Sequence, residues 1–64
     1  MPHTVVGDGA PLLKASRPDA EEIGRIPGGT LFNVLDMAGL WAWGQVGEDG
    51  LVGYLPLSIL KDAA

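Results

Sequence analysis

Gly39-Leu40-Trp41-Ala42-Trp43-Gly44-Gln45-Val46-Gly47-Glu48-Asp49-Gly50-Leu51-Val52-Gly53-Tyr54-Leu55-Pro56-Leu57-Ser58-Ile59-Leu60 is the stretch that decides the fold. Trp41 to Val46 and Leu51 to Leu55 are apolar, aromatic-containing runs of strand length. The Gly-Glu-Asp-Gly between them supplies turn residues that tolerate positive φ, so the whole reads as a β-hairpin. Pro56 removes a ladder donor and stops the second strand. Pro56 to Ile59 is then short enough for a single helical turn before Leu60.

Outward from the hairpin, the rest of the chain breaks into short apolar pieces. Thr30 to Asp36 is the clearest single strand, with Phe32 and Val34 on one face and Leu31 and Leu35 on the other. Phe32 and Val34 are assigned to the core, and Met37 to Leu40 to the turn that enters the hairpin. Ala10 to Lys14 is a strand whose Pro11 confines it to a start or an edge. Thr4 to Val6, stopped by Gly7-Asp8-Gly9, is an edge strand or a frayed lead-in within residues 1–9. Ala15 to Ile23 is the most polar segment and reads as a loop. Asp19 with Glu22 offers a helix cap, but Gly24 and Pro27 limit any helix to about one turn.

Composition narrows the class further. The chain has 64 residues, ten glycines, five prolines and no cysteine. One domain of this size buries only about 60% of the surface its unfolded chain exposes. Without disulfides or thiolate metal sites to staple it, closing a small all-β core is one of the few solutions left. The net charge is −4, and the four bases, Lys14, Arg17, Arg25 and Lys61, are scattered. Nucleic acid and anionic membrane surfaces, which need clustered positive charge, are therefore not expected as partners. No run approaches a membrane span, and the start lacks the pattern of a signal peptide.

The pattern Gly-x-Trp-x-x-x-x-Val, a turn, then Gly-x-x-Gly-Tyr-Leu-Pro-x-x-x-Leu resembles the second half of an SH3-type barrel. It most resembles the bacterial SH3 (SH3b) domains found beside NlpC/P60 cell-wall peptidases, over about Ala10 to Leu60. The resemblance implies an all-β fold: a small SH3-like barrel of about five short strands, with an RT-type loop from Ala15 to Gly29 and a one-turn 3-10 helix before the last strand. Residues 1–64 form a single domain. The implied role is a non-catalytic accessory module that binds the peptidoglycan stem peptide or docks beside an adjacent catalytic domain. Its parent would belong to the bacterial cytoplasm or cell envelope. Trp41 and Tyr54 match recurrent aromatic positions of such domains. Trp43 stands where they carry a polar or basic side chain, and Gly44 where they carry valine. Gly44 should weaken its strand and leave a void unless a neighbour fills it. These departures also suit an excised or engineered fragment of such a domain.

Candidate ligand-binding residues follow from alternation within the hairpin. Ala42, Gly44 and Val46 share the core face, which turns Trp41, Trp43 and Gln45 outward. Two outward tryptophans among only four aromatics offer a ligand surface, a self-association surface or a structural cover for an open barrel corner. Tyr54 lies in the outward register across from them, either to hold a peptide group or to pack on Trp43. Asp19, Glu21 and Glu22 could attract an amino group, or simply be solvated. Of the aromatic row that proline-rich peptides need, Trp41 and Pro56 match, but the tyrosine after the proline is Ile59. The groove for such peptides should be largely missing.

No enzyme is read from the chain. His3, the single histidine, lies at a terminus with no expected partner, and neither Ser16 nor Ser58 has a histidine in reach. No metal site and no cofactor are expected, and the glycines lack the helix start or basic partner that a phosphate cradle requires. The reading from a different class is structural. A homodimer could bury the lead-in at Thr4 to Val6 together with Trp43.

Overall fold

A computed structural model of the chain describes residues 2–48 and 50–62. Asp49, in the middle of the predicted hairpin turn, and Ala63 and Ala64, in the predicted tail, lie outside the described residues. The fold is all-β, an SH3-like barrel with one 3-10 turn before the last strand. Its strands are β1 (Pro2–Val5), β2 (Ala10–Leu13), β3 (Glu22–Ile26), β4 (Leu31–Ala38), β5 (Trp41–Val46), β6 (Val52–Pro56) and β7 (Leu60–Asp62). The 3-10 turn is Leu57–Ile59. Every pairing is antiparallel, in the order β3-β2-β6-β5-β4-β1-β7.

The hairpin forms as its sequence predicts. β5 runs from Trp41 to Val46, and β6 ends at Pro56, where the chain turns into the 3-10 helix. Hydrogen bonds from Val46 N to Leu51 O and from Gly50 N to Val46 O, both 2.9 Å, close its turn. β4 is longer than expected, because Met37 and Ala38 stay in the ladder opposite Ala42 and Trp41, leaving Gly39-Leu40 as a two-residue turn. The RT-type loop is shorter than expected, because Glu22–Ile26 within it forms β3. Its base is the β2–β3 ladder, and Lys14 N donates to Glu21 O at 2.9 Å where the loop leaves that ladder.

Two expectations about the edges are corrected. The lead-in is not a free edge, since β1 pairs with β4 on one side and β7 on the other. Val5 is almost fully buried in consequence, and Val6 N donates to Ile59 O at 2.8 Å. His3 therefore does not fray but sits in this ladder between Phe32 and Asp62. Pro11 lies within β2 rather than at its start. It is tolerated because β2 meets β6 only at Leu13↔Tyr54, so no strand on that side requires an N–H from Pro11.

The core consists of Val5, Ala10, Leu12, Ile26, Phe32, Val34, Ala42 and Leu55, with Val46, Leu57, Ile59 and Leu60 packed against it. Phe32 and Leu12 are fully buried. They lie against two glycines that face each other across the hairpin, Gly44 on β5 and Gly53 on β6. A Cβ on Gly44 would lie 2.9 Å from Cε2 of Phe32 and would collide with the carbonyl oxygen of Asn33. A Cβ on Gly53 would lie 2.7 Å from Cγ of Leu12. The void expected at Gly44 does not exist, because the Phe32 ring occupies that space.

This packing reverses the usual sign of a glycine substitution in a strand. Replacing glycine with alanine normally stabilises a strand through the unfolded chain. Gly44→Ala should instead destabilise the domain by about 1–3 kcal/mol, the usual cost of overpacking. The check is a lowered urea midpoint at unchanged slope, whereas an unchanged or raised midpoint would contradict the packing described.

Candidate functional site

The hairpin register sorts its side chains into two faces. Ala42, Gly44, Gly53 and Leu55 point into the barrel and are buried. Trp41, Trp43 and Gln45 of β5 and Val52, Tyr54 and Pro56 of β6 share the outer face, paired as Trp41↔Pro56, Trp43↔Tyr54 and Gln45↔Val52. Tyr54 is thus the direct cross-strand neighbour of Trp43. Directly opposite residues on one face lie close enough for aromatic contact. Trp43 remains 37% exposed, and Trp41 and Tyr54 are half-buried.

The row through Trp43 and Tyr54 continues across the sheet in both directions. Asp36 pairs with Trp43, Tyr54 with Leu13, and Leu13 with Glu22. Leu13 is buried yet lies outside the core cluster, so it is covered on the outer face. An apolar and aromatic strip therefore runs over β5, β6 and β2 with one carboxylate at each end. Asp36 Oδ1 accepts from Met37 N at 2.9 Å. Among the described residues no ion pair engages Glu22, while its loop neighbours are matched at the surface, Lys14 with Glu21 at 3.6 Å and Arg17 with Asp19 at 3.4 Å. Such exposed pairs contribute little and are screened by salt. The acids of the loop stay available to a cationic group.

Beside this strip lies a groove of about 420 Å³, lined by Pro18, Leu40, Trp41, Pro56, Leu57 and Ser58. Three segments distant in sequence build it. β5 and β6 place Trp41 beside Pro56. A hydrogen bond from Leu57 N to Leu40 O, 2.9 Å, fastens the 3-10 turn to the β4–β5 turn and sets Leu40 against the groove. The RT-type loop contributes Pro18. A groove forms at this place although the tyrosines of the proline-peptide row are absent, with Pro18, Leu40 and Leu57 as its apolar walls. Ile59, by contrast, packs on the core.

Of the candidate residues, Trp41 lines the groove, Trp43, Tyr54 and Glu22 lie on the outer strip, and Asp19 directly follows the groove residue Pro18 in the loop. Trp41 belongs to both surfaces and joins them. The residues not anticipated are Pro18, Leu40, Leu57 and Ser58. Only the Trp-to-Pro56 spacing in the hairpin carried a local signal for the groove. Among the described residues, no cluster of three or more histidines and acids is arranged to hold a metal ion.

A seven-stranded antiparallel barrel with an RT-type loop, a 3-10 turn and an aromatic outer face defines an SH3-like module. The family model for the bacterial dipeptidyl-peptidase SH3 domain matches residues 26–60. That is more than half of the 64 residues, and the chain belongs to this family of bacterial SH3 domains. The matched span covers the end of β3, all of β4, β5 and β6, and the 3-10 turn, and so holds every groove residue except Pro18. No curated protein and no solved structure is matched by the chain.

The Trp43–Tyr54 pairing has a measurable energy. A double-mutant cycle of Trp43→Ala and Tyr54→Ala, read from urea unfolding, should give a favourable coupling of about 0.5–1 kcal/mol, as cross-strand aromatic pairs do. Strict additivity would mean that the two rings do not touch.

Proposed function

We propose that this chain is an accessory binding module that recognises the peptidoglycan stem peptide for an adjacent bacterial peptidase domain. The observation that carries the reading is the continuity, through Trp41, of an apolar groove with an outer strip that ends in carboxylates. A stem peptide combines small apolar side chains with free amino and carboxyl groups. The groove suits the former, and Glu22 and Asp19 suit an amine. The hydroxyls of Tyr54 and Ser58 add hydrogen-bonding groups beside them. Membership in an SH3 family named for bacterial peptidases supports a cell-wall peptide over other short peptides. The domain contributes recognition, and the bond chemistry belongs to its catalytic neighbour.

The test is an amide and indole chemical-shift titration of the labelled domain with muropeptide stem fragments, with a PxxP peptide in parallel. Saturable shifts are expected at Trp41, Trp43 and Tyr54 with the stem fragment. Trp41→Ala should weaken binding about tenfold or more, ~1.4 kcal/mol, as truncation of an aromatic anchor does. Shifts with the PxxP peptide alone would overturn the assignment of ligand. No shift with either, in a folded sample, would leave the face to docking against a protein surface.

A further inference from the structure

The barrel leaves one substantial edge open. The strand order ends at β3 on one side and at β7 on the other, and β7 is only three residues long. β3 has five residues, and among the described residues its flank turned away from β2 pairs with no strand. An unpaired flank of this kind is a template for a further strand. The polarity of that flank follows from Pro11. Ladder hydrogen bonds alternate along an antiparallel pair, and Pro11 has no N–H to give. The bonded pairs of β2 and β3 are therefore Ala10–Ile26 and Leu12–Gly24, on either side of Pro11↔Arg25. The N–H and C=O of Arg25 consequently point to the open side.

We infer that β3 is a self-pairing edge and that its occupant is β3 of a second copy, joined antiparallel about a two-fold axis at Gly24. Three observations single out a second copy. First, the edge is self-complementary in charge. Glu22 and Arg25 pair with Leu13 and Pro11, which lie opposite in alternation to the core residues Leu12 and Ala10, so both acid and base stand on the outer face. Neither has an ion-pair partner in its own chain among the described residues. A two-fold at Gly24 sets Arg25 of one copy against Ile23 of the other, with Glu22 next in line, and does so twice.

Second, the residue on the axis is a glycine, so no side chains collide where the strands cross. Third, the surface around the axis is apolar. Ile23, the bulge residue of β3, is 36% exposed and Leu51 50% exposed. Leu51 also lies over Gly24, its Cδ1 3.2 Å from where a Cβ would stand. The contact is self-limiting, since each copy offers one such edge. A stable interface buries about 800 Å² per partner, about a fifth of the 3895 Å² this chain exposes. A five-residue edge with Leu51 falls short of that. The dimer is therefore reversible and dissociates on dilution.

The experiment is a dilution series of the labelled chain from millimolar to low micromolar, followed by amide shifts and by sedimentation equilibrium. Concentration-dependent shifts are expected at Ile23, Gly24 and Arg25, with a mass rising toward the dimer. Arg25→Glu should move the dissociation midpoint at least tenfold toward weaker association, and the exchanged pair Glu22→Arg with Arg25→Glu should restore it. Unchanged Trp41 and Trp43 resonances would show that each variant is folded. A monomer at every concentration overturns the inference, as does a dimer whose shifts fall on the Trp41 groove or one that the charge exchange fails to restore. A monomer whose β3 amides respond to an added extended peptide would give the edge to a foreign strand and also overturn self-pairing.

Discussion

The facing glycines Gly44 and Gly53 are the constraint from which the rest of the domain follows. A barrel of this size has room for few large side chains, and the two largest that are fully buried, Phe32 and Leu12, need the space above the hairpin. That space exists because neither glycine carries a Cβ. Burying one such side chain contributes about 1.5–3 kcal/mol, a large share of the stability of a small domain with no disulfide. The same arrangement decides where the aromatic residues go. With Ala42, Gly44 and Gly53 on the inner face of the hairpin, the bulk of β5 and β6 stands outside as Trp41, Trp43, Tyr54 and Pro56. The candidate binding surface is the outer side of the device that closes the core.

What could be read from the chain divides along the range of the interactions. The hairpin, its face assignment, the stop at Pro56 and the core strand around Phe32 are set by local alternation and by turn chemistry, and the sequence shows them directly. Tyr54 beside Trp43 follows from the same hairpin register. The position of β1 between β4 and β7 does not, because only the closing of the barrel brings Leu60 and Leu31 to either side of Thr4 and Val5. Nor does any local pattern reveal that Phe32, twelve residues before Gly44, fills the space that glycine leaves. A missing side chain in one strand looks like a void until the register of the next strand is known.

The groove was hidden for the same reason. Its residues come from the RT-type loop, the β4–β5 turn and the 3-10 turn, and a single backbone hydrogen bond, Leu57 N to Leu40 O, locks two of these together. The residues after Pro56 differ from those of proline-peptide domains and predict that the groove for such peptides is missing. Substitution elsewhere, at Pro18, Leu40 and Leu57, supplies the apolar walls. Trp41 is the hinge of the functional account, since it closes the groove and begins the outer strip. The open edge of β3 lies apart from Trp41, across β2 and β6. Ligand binding at the groove and self-pairing at β3 therefore meet only at Glu22, which ends the outer strip and stands on the paired edge.

The most direct test of this account is the magnetic environment of the two glycines. Phe32 above Gly44 should give strong cross-relaxation between its ring protons and the Gly44 α-protons, with a ring-current displacement of those α-protons, and Leu12 methyls should show the same proximity to the Gly53 α-protons. Observation of both contacts in one folded species is the predicted result. If the Phe32 ring instead contacts neither glycine, the hairpin closes over a different core, and the derivation of the outer aromatic face from that core is contradicted.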